Sequence, residues 1–426
     1  MKLKSLNFTA VLAFVLITTM VLTGCKKDKS NEPEVIQLPE KAMFVSTYDS
    51  NTGATIYLLD GATGALTTKY TYPAQANVTW TYAVAGNGFL YSLDNNKINA
   101  INMTTGAVVW TDAVDNASAP VLHDNVFYGV QKINATSYNV YALDATKPSK
   151  DYVWKYPLVA APTGVKHYNG LVYVLITPNR LVALDAKTGA LKWDISASDP
   201  YSLLSLNNGV IVSGNNILDA TNGTQITAAS APAIIPTYGA LTNAVWSLRY
   251  ATKDMYFVET EHYNSETHIA TRYISAINTL SGAVKWSHKY DGGFAISHGI
   301  WNDIELVWNG QLIVKNIQNN SLKTTTRTYE RYWLLDINTG SEKIIFDNYW
   351  SFGTGSEGVI ANNIQYVSQM VDNGTVFTPP SGKYLFAVDL ANTKQVWRDD
   401  KLLSGYGGAM SVCVFTAGKA YSPYIQ

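Results

Sequence analysis

Cysteine is nearly absent from this chain of 426 residues, which carries two, Cys25 and Cys413. That excludes a disulfide scaffold, so the fold must rest on core packing, for which a chain of this length has ample room. Charge is sparse and balanced, with 31 Lys and Arg against 32 Asp and Glu. No basic stripe forms, so the electrostatic footprint of nucleic-acid binding is missing and no nucleic-acid partner is expected. Long apolar runs are missing apart from one at the start, 8–22, which falls short of the ~20 residues that a membrane-crossing helix needs. Helical periodicity is missing throughout. So are the compact signatures of catalysis. The six histidines are His123, His167, His262, His268, His288 and His298. They form no H-E-x-x-H, and no third ligand stands at metal spacing beside His262 and His268. There is no EF-hand loop, phosphate-cradling glycine loop or G-x-S-x-G elbow. No catalytic residue, no metal and no cofactor is expected, and the chain reads as non-enzymatic.

What is there begins with a targeting segment. Lys2 and Lys4 precede the apolar run "FTAVLAFVLITTMVL", and "LTGC" closes it at Cys25. A basic start, an apolar centre and small residues before a cut describe an export signal. The box Leu22, Thr23, Gly24, Cys25 resembles that of bacterial lipoprotein precursors. The resemblance implies cleavage before Cys25 and acylation of that residue, and several chains on one residue give lasting anchorage. The expected organisation is a signal peptide over 1–24, a lipidated Cys with a polar tether over 25–42, and one domain over 43–426. Lys26 after the lipidated position implies the outer membrane, with the periplasmic and cell-surface faces both open. Cys413 lies in the apolar run "MSVCVF" and reads as a small buried hydrophobe.

Aromatics are plentiful, with 28 Tyr and 11 Trp, and a repeat explains many of them. The phrase "LVALDAKTGALKW" from Leu181 is one of eight copies, the other seven in weaker spellings. Each copy closes one strand on Asp or Asn, at Asp60, Asn102, Asp144, Asp185, Asp219, Asn278, Asp336 and Asp389. Gly follows four positions later in six of the eight, at Gly64, Gly106, Gly189, Gly223, Gly282 and Gly340. Asp and Asn start turns by bonding the backbone two residues on, and Gly supplies positive φ where the chain reverses. Small residues such as Ala142 and Ala183 leave room for a large neighbour. Trp110, Trp193, Trp286 and Trp397, on the returning strands, are placed to pack against the next sheet. The fifth copy, "NILDATNGTQIT", lacks the Trp.

Corner spacings of 42, 42, 41, 34, 59, 58 and 53 residues, with two further strands between copies, fit a four-stranded blade. The fold class expected is an all-β propeller of eight blades, with seven and an irregular closure as the alternative. "MFVSTY" before the first copy and "MSVCVF" and "KAYSPY" after the last should share the first blade, which leaves one strand more than four. The repeat resembles that of the PQQ-like, or quinoprotein-alcohol-dehydrogenase-like, propeller superfamily. Its "A-x-D-x-x-T-G-x-x-x-W" core is matched by Ala183, Asp185, Thr188, Gly189 and Trp193, and closely by Ala100, Asn102, Thr105, Gly106 and Trp110. The superfamily hosts quinone-dependent enzymes and lipid-anchored assembly factors alike. Many of its enzymes carry a vicinal cysteine pair, and this chain has neither that pair nor a C-x-x-C-H for haem.

Insertions in the later blades supply the candidate recognition surface: 259–272, 316–331 and 370–383, with connections from Lys289, Asp347 and Asp399 beside them. Tyr290, Phe294, His298, Trp301, Tyr349, Trp350, Phe352 and Tyr406 fall there. Long loops on a rigid scaffold are where binding concentrates, although the same aromatics would also serve to cap those loops internally. The expected function is a membrane-anchored, non-catalytic scaffold, monomeric, contacting an envelope protein. A glycan partner is the alternative, and a PQQ-dependent dehydrogenase ranks third.

Overall fold

A computed structural model describes residues 36–49, 53–72, 82–86, 88–94, 97–113, 120–146, 152–177, 179–196, 205–207, 209–213, 216–229, 244–264, 269–290, 302–320, 327–349, 358–371, 382–399, 401–402, 411–417 and 419–421. Every regular element among them is a β-strand, and the strands form eight antiparallel sheets. The molecule is an eight-bladed β-propeller.

Each copy of the repeat becomes the third and fourth strands of a blade. In blade 4 these are Arg180–Asp185 and Leu191–Ser196, behind Pro162–Tyr168 and Leu171–Ile176. The Oδ1 of Asp185 accepts the N–H groups of Lys187 and Thr188 and the Thr188 hydroxyl, at 3.0–3.1 Å. Lys192, 3.1 Å away, leads the groups that hold this carboxyl down to about 2; bonds from Thr188 add to it. The N–H of Gly189 closes on the Asp185 carbonyl at 2.8 Å. All six glycines of this slot have φ between +67° and +75°, a region in which a side chain is strained. A bulge follows in the pairing of the two strands, and Ala183 then stands opposite Trp193. The same Ala–Trp pairing recurs at Ala100 and Trp110, Ala142 and Trp154, Ala276 and Trp286, and Ala387 and Trp397.

A further bond fastens each corner to the turn between the first two strands. The N–H of Ala186 donates to Gly170 O at 2.9 Å, that of Ala220 to Gly209 O at 2.9 Å, and that of Leu390 to Asn363 O at 2.9 Å. These turns and the Asp/Asn corners therefore share one face of the ring, the corner face. Second–third hairpins and blade-to-blade connections share the other, the loop face. First strands of several neighbouring blades pack on one another.

Closure follows the expected surplus. Lys41–Asp49, Gly53–Asp60 and Leu66–Tyr72 from the start of the chain join Ser411–Thr416 and Lys419–Tyr421 from its end in one five-stranded sheet. Lys41 pairs with Thr416, Phe44 with Cys413 and Ser46 with Ser411. Cys413 is fully buried there, as a small hydrophobe would be. Met43, Val45 and Val414 of this sheet pack against Tyr366, Ala387 and Trp397 of blade 8, so the last blade meets the first.

One sequence expectation changes. The insertions over 259–272 and 316–331 are largely paired strand rather than loop. In blade 6, Met255–Asn264 and Ile269–Asn278 pair without interruption from Met255↔Asn278 to Asn264↔Ile269. In blade 7, Gln311–Asn320 pairs with Arg327–Asp336 throughout. The cause is β-propensity: Thr, Tyr and Ile recur in these segments, and nothing in them breaks the ladder. His262 lies in one of these strands, and His268 lies outside the described residues.

Candidate functional site

Five of the eight predicted corners seat an aromatic ring of the preceding blade. At the seam between blades 3 and 4, the indole of Trp154 covers Gly189 so closely that a Cβ there would sit 2.6 Å from the ring. Its N–H donates to Ala186 O, the carbonyl after the corner, at 2.8 Å. Trp193 does the same over Gly223, bonding Thr221 O at 3.1 Å; Trp286 over Gly340, bonding Ile337 O at 3.1 Å; and Trp397 over Gly64, bonding Gly61 O at 2.9 Å. Tyr70 takes the place of Trp over Gly106, and its hydroxyl donates to Met103 O at 2.8 Å. Burial pushes the Tyr70 hydroxyl up to about 12, so it stays protonated and able to donate. The glycine thus serves twice, as a positive-φ hinge and as a seat for the preceding blade's aromatic ring.

Sequence reasoning missed a second set of seam residues on the second strands. Tyr91, Tyr128 and Tyr173 donate to Ala145 O at 2.9 Å, Ala186 O at 3.3 Å and Ala220 O at 3.0 Å, each carbonyl following a corner in the next blade. The recurrence of Tyr within these apolar second strands was a usable signal.

Two of the eight candidate recognition residues are placed by the described strands. Tyr290 ends the outer strand of blade 6 opposite Arg272, and Tyr349 ends that of blade 7 opposite Tyr329. Both positions are at the loop-face ends of adjacent blades. Phe294, His298, Trp301, Trp350, Phe352 and Tyr406 lie outside the described residues, as does Cys25. Blades 6 and 7 extend furthest here. Their central hairpins pair over ten residues from the corner, against six in blade 4. At ~3.4 Å per residue the difference is about 14 Å.

His123 and His167 stack at 3.8 Å between blades 3 and 4, and Tyr128 stacks with His167 at 5.2 Å. Burial, with His123 adding to it, pushes His167 down to about 4, so it is neutral at physiological pH. A cleft of about 400 Å³ opens on the corner face between Tyr168, Lys192, Thr221 and Lys253. Its two ammonium groups are paired with Asp185 at 3.1 Å and Asp219 at 3.7 Å. Among the described residues no three His, Cys, Asp or Glu side chains converge to hold a cation. Those residues therefore assemble no donor set for a calcium-bound quinone.

The architecture is an eight-bladed propeller, and part of the chain is similar to known proteins with a PQQ-like repeat. Residues 44–152 and 133–232 match the family model described as outer membrane protein assembly factor BamB. The chain carries the PQQ-like repeat and is similar to BamB. A curated relative, the quinohemoprotein alcohol dehydrogenase ADH IIB of Pseudomonas putida, is 28% identical over 145 residues, which is 30% of this chain. The match spans only 20% of that enzyme's length. Among solved structures, BamB from Moraxella catarrhalis is 10% identical with a TM-score of 0.42, over 81% of this chain and 95% of that one. Quinohemoprotein alcohol dehydrogenase from Comamonas testosteroni is 13% identical with a TM-score of 0.48, over 82% and 73%.

Proposed function

We propose that the chain is a lipid-anchored, non-catalytic scaffold of the bacterial outer membrane that contacts an envelope protein through the loop face of blades 6 to 8. The observation that carries this reading is asymmetry. The corner chemistry of the repeat goes into holding seams closed, whereas the hairpins of blades 6 and 7 overshoot blade 4 by about 14 Å on one sector. The eight aromatic candidates belong to that sector by sequence. The match to the BamB family supports a protein partner.

The entry point of the chain supports an orientation. Lys41 stands at the corner face, where its carbonyl accepts the Gly61 N–H at 2.7 Å. A tether from an acylated Cys25 to Lys41 reaches at most ~55 Å when extended. It joins the ring on the face opposite the long hairpins, which favours a loop face directed away from the anchoring leaflet.

The test is in-cell crosslinking of the full chain and of a W301A/W350A/Y406A variant, with thermal unfolding measured on both. The reading expects a discrete crosslinked envelope protein, reduced at least tenfold in a variant of unchanged Tm. Equal crosslinking by the two proteins overturns the loop-face assignment.

A further inference from the structure

The seam between blades 5 and 6 departs from the rule that the other glycine corners obey. Five corner glycines, Gly64, Gly106, Gly189, Gly223 and Gly340, each have an aromatic ring of the preceding blade within 3 Å of where a Cβ would stand. At the sixth, Gly282, no atom of the described residues comes within 4 Å of that point. The reason is in the sequence. Blade 5 has Thr227 opposite Ile217, at the place where blade 4 has Trp193 opposite Ala183. The inner part of the seam is normally packed, by Val212, Ile217, Tyr256, Val258 and Ile277. The shortfall is therefore confined to the outer seat.

Three features of that seat point to an occupant. Its backbone is already set, since Gly282 has φ +68° and Asn278 holds the turn through Leu280 and Ser281 at 2.8–3.1 Å. Thr279 occupies the place of Ala186, Ile337 and Gly61, whose carbonyls accept an indole N–H at filled seats. Thr279 is 2% exposed, and its hydroxyl has no partner among the described residues. Leu280, two positions beyond the corner, is 87% exposed. The other blades place Ala62, Thr104, Thr146, Lys187, Thr221, Asn338 and Ala391 at that position, all small or polar. An exposed large aliphatic side chain beside an aromatic seat that no described residue fills is a local apolar surface that the repeat itself does not require.

We infer that this seat docks a tryptophan side chain of a protein partner, which completes the seam as the ring's own Trp residues do elsewhere. The partner's indole lies over Gly282 with its edge against Leu280, and its N–H reaches the Thr279 carbonyl. Tryptophan suits the role because it combines a large flat apolar area with a single donor, the pairing that makes it a frequent anchor at interfaces. The seat is on the corner face, so it stands independently of the loop-face reading.

The test uses the full chain and N-acetyl-tryptophanamide as probe, followed by ligand-observed NMR. Wild type should bind it saturably in the millimolar range. Thr227→Trp should fill the seat from within, raise Tm, and weaken probe binding at least tenfold. Leu280→Asp, at an exposed position that leaves the fold intact, should weaken binding without raising Tm. Absence of saturable binding to wild type, or equal binding to wild type and both variants, overturns the inference. A fall in Tm for Thr227→Trp would also overturn it, because the seat would then be closed to an indole.

Discussion

Replacing Gly189 by Ala, and separately Gly282 by Ala, isolates the two roles of a corner glycine. The backbone cost is common to both, since φ is +70° at one and +68° at the other, and a Cβ in that region costs about 1–2 kcal/mol. At Gly189 the new methyl would stand 2.6 Å from Trp154 Cδ2 and 2.7 Å from Cε3. The indole has to move in a seam where it is only 8% exposed. Such overpacking costs about 1–3 kcal/mol. Loss of the 2.8 Å bond to Ala186 O adds roughly 0.5–1.5 kcal/mol. Gly189→Ala should therefore cost roughly 3–6 kcal/mol in all. Gly282→Ala, with no described atom within 4 Å, should cost about 1–2 kcal/mol. Urea titration followed by tryptophan fluorescence and by circular dichroism reads the difference as a shift in midpoint at constant slope. Equal shifts for the two variants would refute the claim that the glycine is a seat as well as a hinge, and a larger shift for Gly282→Ala would show its seat to be filled.

Acid should loosen the seam between blades 3 and 4. His167 is held at about 4 against 6.5 for the free side chain, so the unfolded chain takes up a proton first. The stability it contributes is complete above pH 6.5 and is lost as pH falls towards 4, by about 3 kcal/mol. His167→Phe should flatten that part of the Tm–pH curve, and an unchanged slope would count against the assignment. Trp397→Ala removes the ring that covers Gly64 and the 2.9 Å bond to Gly61 O. A loss of about 3–5 kcal/mol is expected in chemical denaturation, and a loss below 1 kcal/mol would mean that the first and last blades do not depend on this contact. Deleting residues 411–426 takes two strands from the closing sheet. Hydrogen exchange should then show protection lost along 41–46; retained protection there would contradict the pairing.

Much of the architecture was legible because the repeat carries its own turn chemistry. Asp185, Thr188 and Gly189 are local in sequence and act locally, so their spelling alone specifies the corner. Cross-blade roles were harder to read. That Trp193 packs onto a neighbouring sheet follows from its position on the returning strand. That its seat is Gly223, one copy further on, requires the ring to be known. The missing Trp of the fifth copy was visible as degeneracy, and only the ring shows that no described residue takes its place over Gly282. The segments over 259–272 and 316–331 read as loops because their many polar residues mask the alternation, yet they pair as hairpins. Of the aromatic candidates on the loop face, Tyr290 and Tyr349 are placed at neighbouring strand ends and the others fall outside the described residues. Loop conformation depends on what the loop packs against, which spacing does not encode.

The central claim is that the repeats form a ring closed by pairing the end of the chain with its beginning. Cys413 allows that pairing to be tested directly, because its partner across the ladder is Phe44. Facing residues of an antiparallel pair have Cα atoms ~4.5–5.5 Å apart, within reach of a disulfide. Under mild oxidation, Phe44→Cys should yield a disulfide-linked peptide pair containing positions 44 and 413, found by mass spectrometry before reduction and gone after it. A folded variant in which the two thiols stay unlinked, or pair elsewhere, would contradict the closure.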